Sequence, residues 1–327
     1  MTSLILRELT DKDEQAFLRG MEDWQGQDLS WYTFEWKPGM SHAEHLLILK
    51  NAKDRNKIPA NRVPSTMLYG FVDGEIVGRL SIRHELNDFL KERGGHVGYS
   101  VSPRHRQKGY ATEIFKQGLQ YCKTLGLSKI LVTCSDNNVP SWKIIEKFGG
   151  SLENRIFDTE KNEFVRRYWV EIEMALKGNI KAKDKAVAYI TRVKDGKTQL
   201  LVFDHDEKYA DAGTQVPAGT VDPGEDPAQT VLRETFEESG LQNLKIESKI
   251  DEYQFFGDYA KAFLHRHVFH LTSSEAIADR WTHKVQGSGD DEGHNFHYFW
   301  IDLADAKGRL SGRFDDSIDI LIFKSKT

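Results

Sequence analysis

Cysteine is nearly absent: Cys122 and Cys134 are the two in 327 residues. Two thiols build no disulfide framework and suit a reducing compartment, the cytoplasm. Neither has the neighbouring base of a nucleophile, so both read as small buried residues. Long apolar runs are also missing, which excludes a membrane-spanning helix. The N-terminal MTSLILRELTDKDE is too acidic, and its apolar part too short, for a signal peptide. No concentrated basic stripe marks a nucleic-acid surface. Internal repeats and low-complexity segments are lacking too.

What is present is an ordinary globular composition, 39% hydrophobic and 29% charged, at a length comfortable for two domains. The charge divides unevenly. Residues 1–180 carry 26 Lys and Arg against 24 Asp and Glu, and residues 181–327 carry 19 against 26. A mildly basic half suits an anionic cofactor, and an acidic half suits a metal-using module. Between them the polar stretch KGNIKAKDK, Lys177 to Lys185, lacks periodicity, and residues 178–185 read as a linker. The expected domains are therefore 1–177 and 186–327.

The most ordered pattern lies in the second half, GTVDPGEDPAQTVLRETFEESGL from Gly219 to Leu241. Asp226-Pro227 opens a helix, Ala228, Val231, Leu232 and Phe236 give it an apolar face, and Gly240 ends it. On that helix Glu234, Glu237 and Glu238 project together, three and four residues apart. Three stacked carboxylates cost stability unless a positive group sits between them, and hard oxygen ligands suit magnesium or manganese. A solvated acidic helix would explain the charges but not the frame around them. Gly219, Glu225, Arg233, Glu234, Glu237, Glu238, Gly240 and Leu241 match the Nudix box, G-x5-E-x7-R-E-U-x-E-E-x-G-U, with Thr235 the one departure, at an aliphatic position.

The resemblance to Nudix hydrolases covers residues 183–327 and implies an α/β/α sandwich that cleaves a pyrophosphate in a nucleoside diphosphate derivative. It implies Glu234, Glu237, Glu238 and the Gly219 carbonyl as metal ligands, the three glutamates also serving catalysis. Glu225 and Arg233 are expected to pair structurally. The general base comes either from the box or from a later loop, here residues 279–297 with Asp290, Asp291 and Glu292. His283, His294 and His297 lack the spacing of a zinc site.

The first half alternates strands and helices, with a hairpin at Asp73-Gly74 and a clustered set of aromatics, Trp24, Trp31, Tyr32, Phe34 and Trp36. These aromatics read mainly as core. Its informative piece is a strand-to-helix turn, Arg106-Gln107-Lys108-Gly109-Tyr110-Ala111, which offers free backbone N–H groups at a helix start expected near Gln107. The turn resembles the R/Q-x-x-G-x-G/A acetyl-CoA loop of the GNAT N-acetyltransferases. Asn138-Val139-Pro140-Ser141 with Ile144 to Gly150 is similar to that family's second cofactor-side helix.

This resemblance, over residues 1–177, implies a mixed-sheet fold. It places acetyl-CoA on Val101, on the amides of Arg106, Gln107, Lys108, Gly109, Tyr110 and Ala111, and on Asn138. Where relatives carry an acidic tyrosine this chain has Ile145, which leaves the acid unassigned among Tyr99, His96 and Glu85. The whole reads as an α/β (α+β) bifunctional enzyme. Its partners are a small nucleotide-like substrate and an amine acceptor, either a small molecule or a protein lysine, with neither nucleic acid nor membrane. The alternative is one active module beside a ligand-binding or sensing one.

Overall fold

The computed structural model describes residues 3–178, 180–287 and 291–324, and the chain divides into two compact units between Ile180 and Lys181. In the first unit, β1 (Ile5–Arg7), α1 (Glu14–Glu22), α2 (Ser30–Thr33) and α3 (His42–Asn51) precede the hairpin of β2 (Ser65–Val72) and β3 (Glu75–Arg83). Asp73 and Gly74 take φ of 51° and 78°, the left-handed pair that a two-residue hairpin turn needs. Then come α4 (Asp88–Glu92), β4 (Val97–Val101), α5 (Tyr110–Thr124), β5 (Lys129–Ser135), α6 (Val139–Lys147), β6 (Ser151–Asp158), β7 (Glu163–Glu171) and α7 (Ile172–Lys177). The sheet order is β1-β2-β3-β4-β5-β7-β6. Only Val97 and Val132 pair between β4 and β5, so these central parallel strands part immediately beyond that contact.

Alternation on β3 sorts the two faces. Leu80 and Ile82 are fully buried, with Leu80 against Gly118 of α5, while Arg79, Ser81 and Arg83 take the other face. There the aromatics form a core: Phe17 stacks on Tyr32 at 5.2 Å and meets Tyr69 edge-on at 5.9 Å. Trp24 and Tyr32 are buried as expected, whereas Trp31 stays half exposed.

The second unit consists of β8 (Ala182–Lys194), β9 (Lys197–His205), β10 (Ala218–Thr220), α8 (Pro227–Ser239), β11 (Leu244–Gly257), β12 (Ala262–Ser273), β13 (Arg280–Lys284), β14 (Asn295–Asp302) and α9 (Ile318–Lys324). β8 serves two sheets. Its first part runs parallel to β12 and antiparallel to β10, and Thr191 to Lys194 pair with β9, which leads on to β14 and β13. Val231 of α8 packs into a core with Ala186, Ala188, Ile190, Phe269 and Leu271.

Several expectations are corrected. The linker over 178–185 is shorter: residues 182–185 already belong to β8, registered against Phe263 to Arg266, and Asn179 lies outside the described residues. Their polar side chains make contacts at the start of the strand, so composition disguised them. Residues 172–174 are helical rather than a strand end, because the sheet stops at Glu171 opposite Lys129. Within the expected loop 279–297, Arg280–Lys284 form β13 and pair with β14, which begins at Asn295, while residues 288–290, Asp290 among them, lie outside the described residues. The helix expected from Gln107 starts at Tyr110, since Gln107 and Gly109 have φ of 62° and 81°.

At the mouth of α1, Asp13 accepts from both terminal nitrogens of Arg7 at 2.7 and 2.8 Å and from the Thr10 amide and hydroxyl at 2.7 Å each. The Arg7 fork first, then Thr10, hold its carboxyl down from 3.8 to about 2. A lowered folded-state pKa means that this contribution is complete above 3.8 and fades as pH falls towards about 2. Asp13→Asn should therefore melt below the wild type at neutral pH, with the gap closing over that acid range in melts of the full chain. A gap independent of pH would refute this assignment.

Candidate functional site

In the second unit, α8 is set by its ends. The Asp226 carboxylate accepts from the Ala228 amide at 2.7 Å, and Gly240 closes the helix at φ 75°. The burial of Thr235 on the sheet side leaves Glu234, Glu237 and Glu238 directed toward β10 and the β13–β14 connection. Arg233 takes Glu225 in a two-pronged contact, Nε to Oε1 at 3.0 Å and Nη2 to Oε2 at 2.9 Å. Its remaining nitrogen, Nη1, reaches Glu234 at 3.0 Å and Glu237 at 3.3 Å. The Glu225–Arg233 pair is as expected; the reach of Arg233 across two further acids was not visible from spacing. The guanidinium holds the Glu225 carboxyl down to about 2.

Glu238 is different. It is 7% exposed, accepts the Ala218 amide at 3.1 Å and has no ion pair among the described residues. Burial pushes its carboxyl well above the usual range, and burial likewise raises Glu234. A Cβ at Gly219 would fall on the Glu234 carboxylate, so that position brings β10 backbone directly over the acid. The acids open on a cavity of about 320 Å³ that Lys185, Gln286, Asp291 and Glu292 also line. The donor set fits a hard divalent cation: crowded carboxylates, one of them buried without an ion pair among the described residues, around a space with room for an ion.

In the first unit, a cleft of about 520 Å³ opens between the end of β4, the turn into α5 and the start of α6. Val101, Arg106, Ala111 and Asn138 line it, with Trp31, Tyr99 and Ser141. Gln107, Lys108, Gly109 and Tyr110 form the turn before and into α5, where the first helical amides lack intrahelical partners. The Arg106 Nε donates to the Val101 carbonyl at 3.2 Å, and the Asn138 side chain caps α6 by accepting from Ser141 N at 3.3 Å. Of the three candidate acids, Tyr99 alone lines the cleft: its Oη lies 3.1 Å from Ser141 Oγ, and burial pushes the phenol up. His96 Nδ1 accepts from the Leu131 amide at 2.9 Å, a sheet role, and Glu85 lies exposed 3.9 Å from Arg55. Ile145 is fully buried.

Two family comparisons fall on these units. Residues 3–151 match the acetyltransferase (GNAT) domain, and residues 182–318 match the NUDIX domain. The chain joins a GNAT domain to a Nudix domain. A curated relative, the uncharacterized N-acetyltransferase YnaD of Bacillus subtilis, is 35% identical over 65 residues, which is 19% of this chain and 38% of that protein. The chain thus spans well under half of that relative. A crystal structure of a C. elegans Ap4A hydrolase binary complex is 22% identical, with a TM-score of 0.36, covering 45% of this chain and all of that one. A GNAT-family acetyltransferase from Streptococcus pneumoniae is 15% identical, with a TM-score of 0.36, covering 52% and 99%.

The sequence also left residues of the Nudix domain unread. Lys185 lines the acidic cavity and donates to Thr220 Oγ1 at 2.6 Å, having been hidden in the supposed linker. His265 and His267 share one face of β12 and meet Asp184 Oδ1 at 2.8 and 2.9 Å. These three groups could bracket an ion, although shared protons already account for their approach. The His-x-His spacing was the available signal.

Gly219→Ala should displace Glu234 and weaken manganese binding roughly ten- to hundredfold, the scale of disturbing a metal ligand's support. Titration followed by electron paramagnetic resonance checks this. An unchanged affinity would mean that Glu234 does not depend on the close approach of Gly219.

Proposed function

We propose that the chain is a bifunctional enzyme. Its GNAT domain is an acetyl-CoA-dependent N-acetyltransferase, and its Nudix domain hydrolyses a pyrophosphate bond in a nucleoside diphosphate derivative, with magnesium or manganese. The observation that carries the hydrolase reading is the buried, unpaired Glu238 beside Glu234 and Glu237 at one cavity. A divalent cation bound there supplies charge neutralisation at phosphate oxygens and makes water more acidic.

The protein's own groups do the rest. Glu234, Glu237, Glu238 and the Gly219 carbonyl hold the ion. Arg233 ties the box loop to the helix through Glu225 and keeps Glu234 and Glu237 in place. Asp291 or Glu292, on the cavity wall, accepts the proton of the attacking water. Lys185 faces the same space and balances anionic charge on a bound diphosphate.

In the transferase, Val101, the turn amides from Arg106 to Ala111 and Asn138 hold acetyl-CoA. The amides point their partial positive charge at its phosphates. Tyr99 keeps its proton at neutral pH because burial disfavours the phenolate, and its position in the cleft suits it to protonate the leaving thiolate. The fully buried Ile145 favours a second reading in which the GNAT domain binds acetyl-CoA as a sensor without transfer. Cytoplasmic residence fits two free cysteines; no helix among the described residues is long and apolar enough to cross a membrane.

Glu234→Gln or Glu238→Gln should cut metal-dependent hydrolysis at least about a hundredfold, the scale of removing one transition-state contact, and leave acetyl-CoA binding intact. A panel of sugar nucleotides, dinucleoside polyphosphates and nucleoside triphosphates with magnesium and manganese checks this; full activity in either variant overturns the metal assignment. Tyr99→Phe should lower CoA release from acetyl-CoA roughly a hundredfold at unchanged acetyl-CoA affinity. If the wild type releases no CoA with any amine yet gains thermal stability from acetyl-CoA, the sensor reading replaces the transferase.

A further inference from the structure

A guanidinium withdrawn from water with no carboxylate beside it is costly. The GNAT domain holds two such groups on one face of β3. Arg79 is 7% exposed and Arg83 is half-buried. Arg79 donates from Nε to the Trp31 carbonyl at 2.5 Å and from Nη2 to the Ser30 carbonyl at 3.4 Å. Arg83 donates from Nη1 to the Gly94 carbonyl at 3.2 Å. Among the described residues neither has a carboxylate within ion-pairing distance, whereas Arg62 of the same cavity is paired with Glu35. The Arg83 fork lies over Gly98 of β4, where a Cβ would stand 3.1 Å from Nη1, so the neighbouring strand leaves room for it.

Both guanidiniums line a cavity of about 410 Å³, a size for a small molecule, and Phe34, Phe89 and Leu90 give it apolar walls. This cavity backs onto the cofactor cleft. Arg79 is registered opposite Ser100, which lines that cleft, and both side chains donate to the Trp31 carbonyl. Neighbouring strand residues thus line the two spaces. Burial lowers the proton affinity of both arginines, the direction that a bound anion would reverse.

We propose that this cavity is the acceptor subsite, and that the acceptor is a small amine carrying an anionic group, carboxylate or phosphate, gripped by Arg79 and Arg83. The proposal rests on the transferase reading of the domain. In the reaction the amine nitrogen forms the new C–N bond as the thioester C–S bond breaks. The nitrogen gives up one proton and the departing thiolate takes one up, leaving an N-acetylated acid and CoA thiol.

The test uses the full chain and pairs of amines differing only in the acid: amino acids against their decarboxylated counterparts, and aminoalkyl phosphates against the matching amino alcohols. Thiol release from acetyl-CoA should favour the acid member roughly ten- to hundredfold in kcat/KM, the scale of one charge-assisted hydrogen bond. Whichever series carries the preference identifies the anion. Arg83→Gln should collapse the ratio within each pair towards one through KM, with acetyl-CoA binding unchanged, and Arg83→Lys should restore part of it. Equal use of both members by the wild type, a comparison that needs no variant, overturns the proposal, as does an Arg83→Gln defect equal for both. Arg83-dependent thermal stabilisation by the acids without thiol release from any amine would uphold the subsite and sink the transferase reading.

Discussion

One guanidinium organises the acidic site of the Nudix domain. Arg233 holds Glu225 with two nitrogens and spends its third on Glu234 and Glu237. A lysine could not do this, because a planar fork can satisfy a carboxylate with two parallel bonds and still present an edge to others. Without that fork the loop from Gly219 to Asp226 would lose its tether to α8. The carboxylates would then be free to splay away from one another. Glu238 lies outside its reach, and the site is completed there by a backbone amide and by burial. The arrangement separates a half neutralised by Arg233, which fixes geometry, from Glu238, which has no ion pair among the described residues.

Much of this was legible in the sequence, and the reason is local. Glu225, Arg233, Glu234, Glu237 and Glu238 sit on one helix and its lead-in, so helical periodicity alone brings them together. The cap at Asp226, the stop at Gly240 and the Asp73-Gly74 hairpin are equally local decisions. Lys185, by contrast, reaches the cavity through strand pairing with Thr220, a contact that no spacing encodes. Residues 182–185 misled for the same reason. KAKDK has linker composition, and its strand character comes from the β12 and β10 partners on either side. β13 was hidden by the glycines and acids that follow it, which outweighed the short RWTHK run.

In the GNAT domain the turn from Arg106 to Ala111 was readable because glycine and a helix start leave their own marks. Left-handed φ at Gln107 and Gly109 shifts the helix start to Tyr110 and lengthens the stretch of unpartnered amides. The cleft itself was not readable. It is built from β4, the start of α6 and residues 24–31, which are distant in sequence and meet only through the whole fold. The same limit applies to the three acid candidates. His96 and Tyr99 stand three residues apart, and only the structure sends one ring to a strand amide and the other into the cleft.

The contrast between the two kinds of buried charge extends this reasoning. Asp13 and Arg7 are matched in place, with short bonds on both sides, and their interaction serves folding. Arg62 and Glu35, which are more exposed, are matched as well. Glu238, Arg79 and Arg83 have no ion pair among the described residues, and each lines a cavity. An uncompensated charge withdrawn from water subtracts from a stability margin that is small to begin with. Structural convenience would have placed an apolar side chain there, as it did at Ile145. The cost falls at cavity walls, where a ligand of opposite charge can refund it on binding. In this chain the sign of the unmatched charge differs between the domains: negative where a cation would be held, positive where an anion would be.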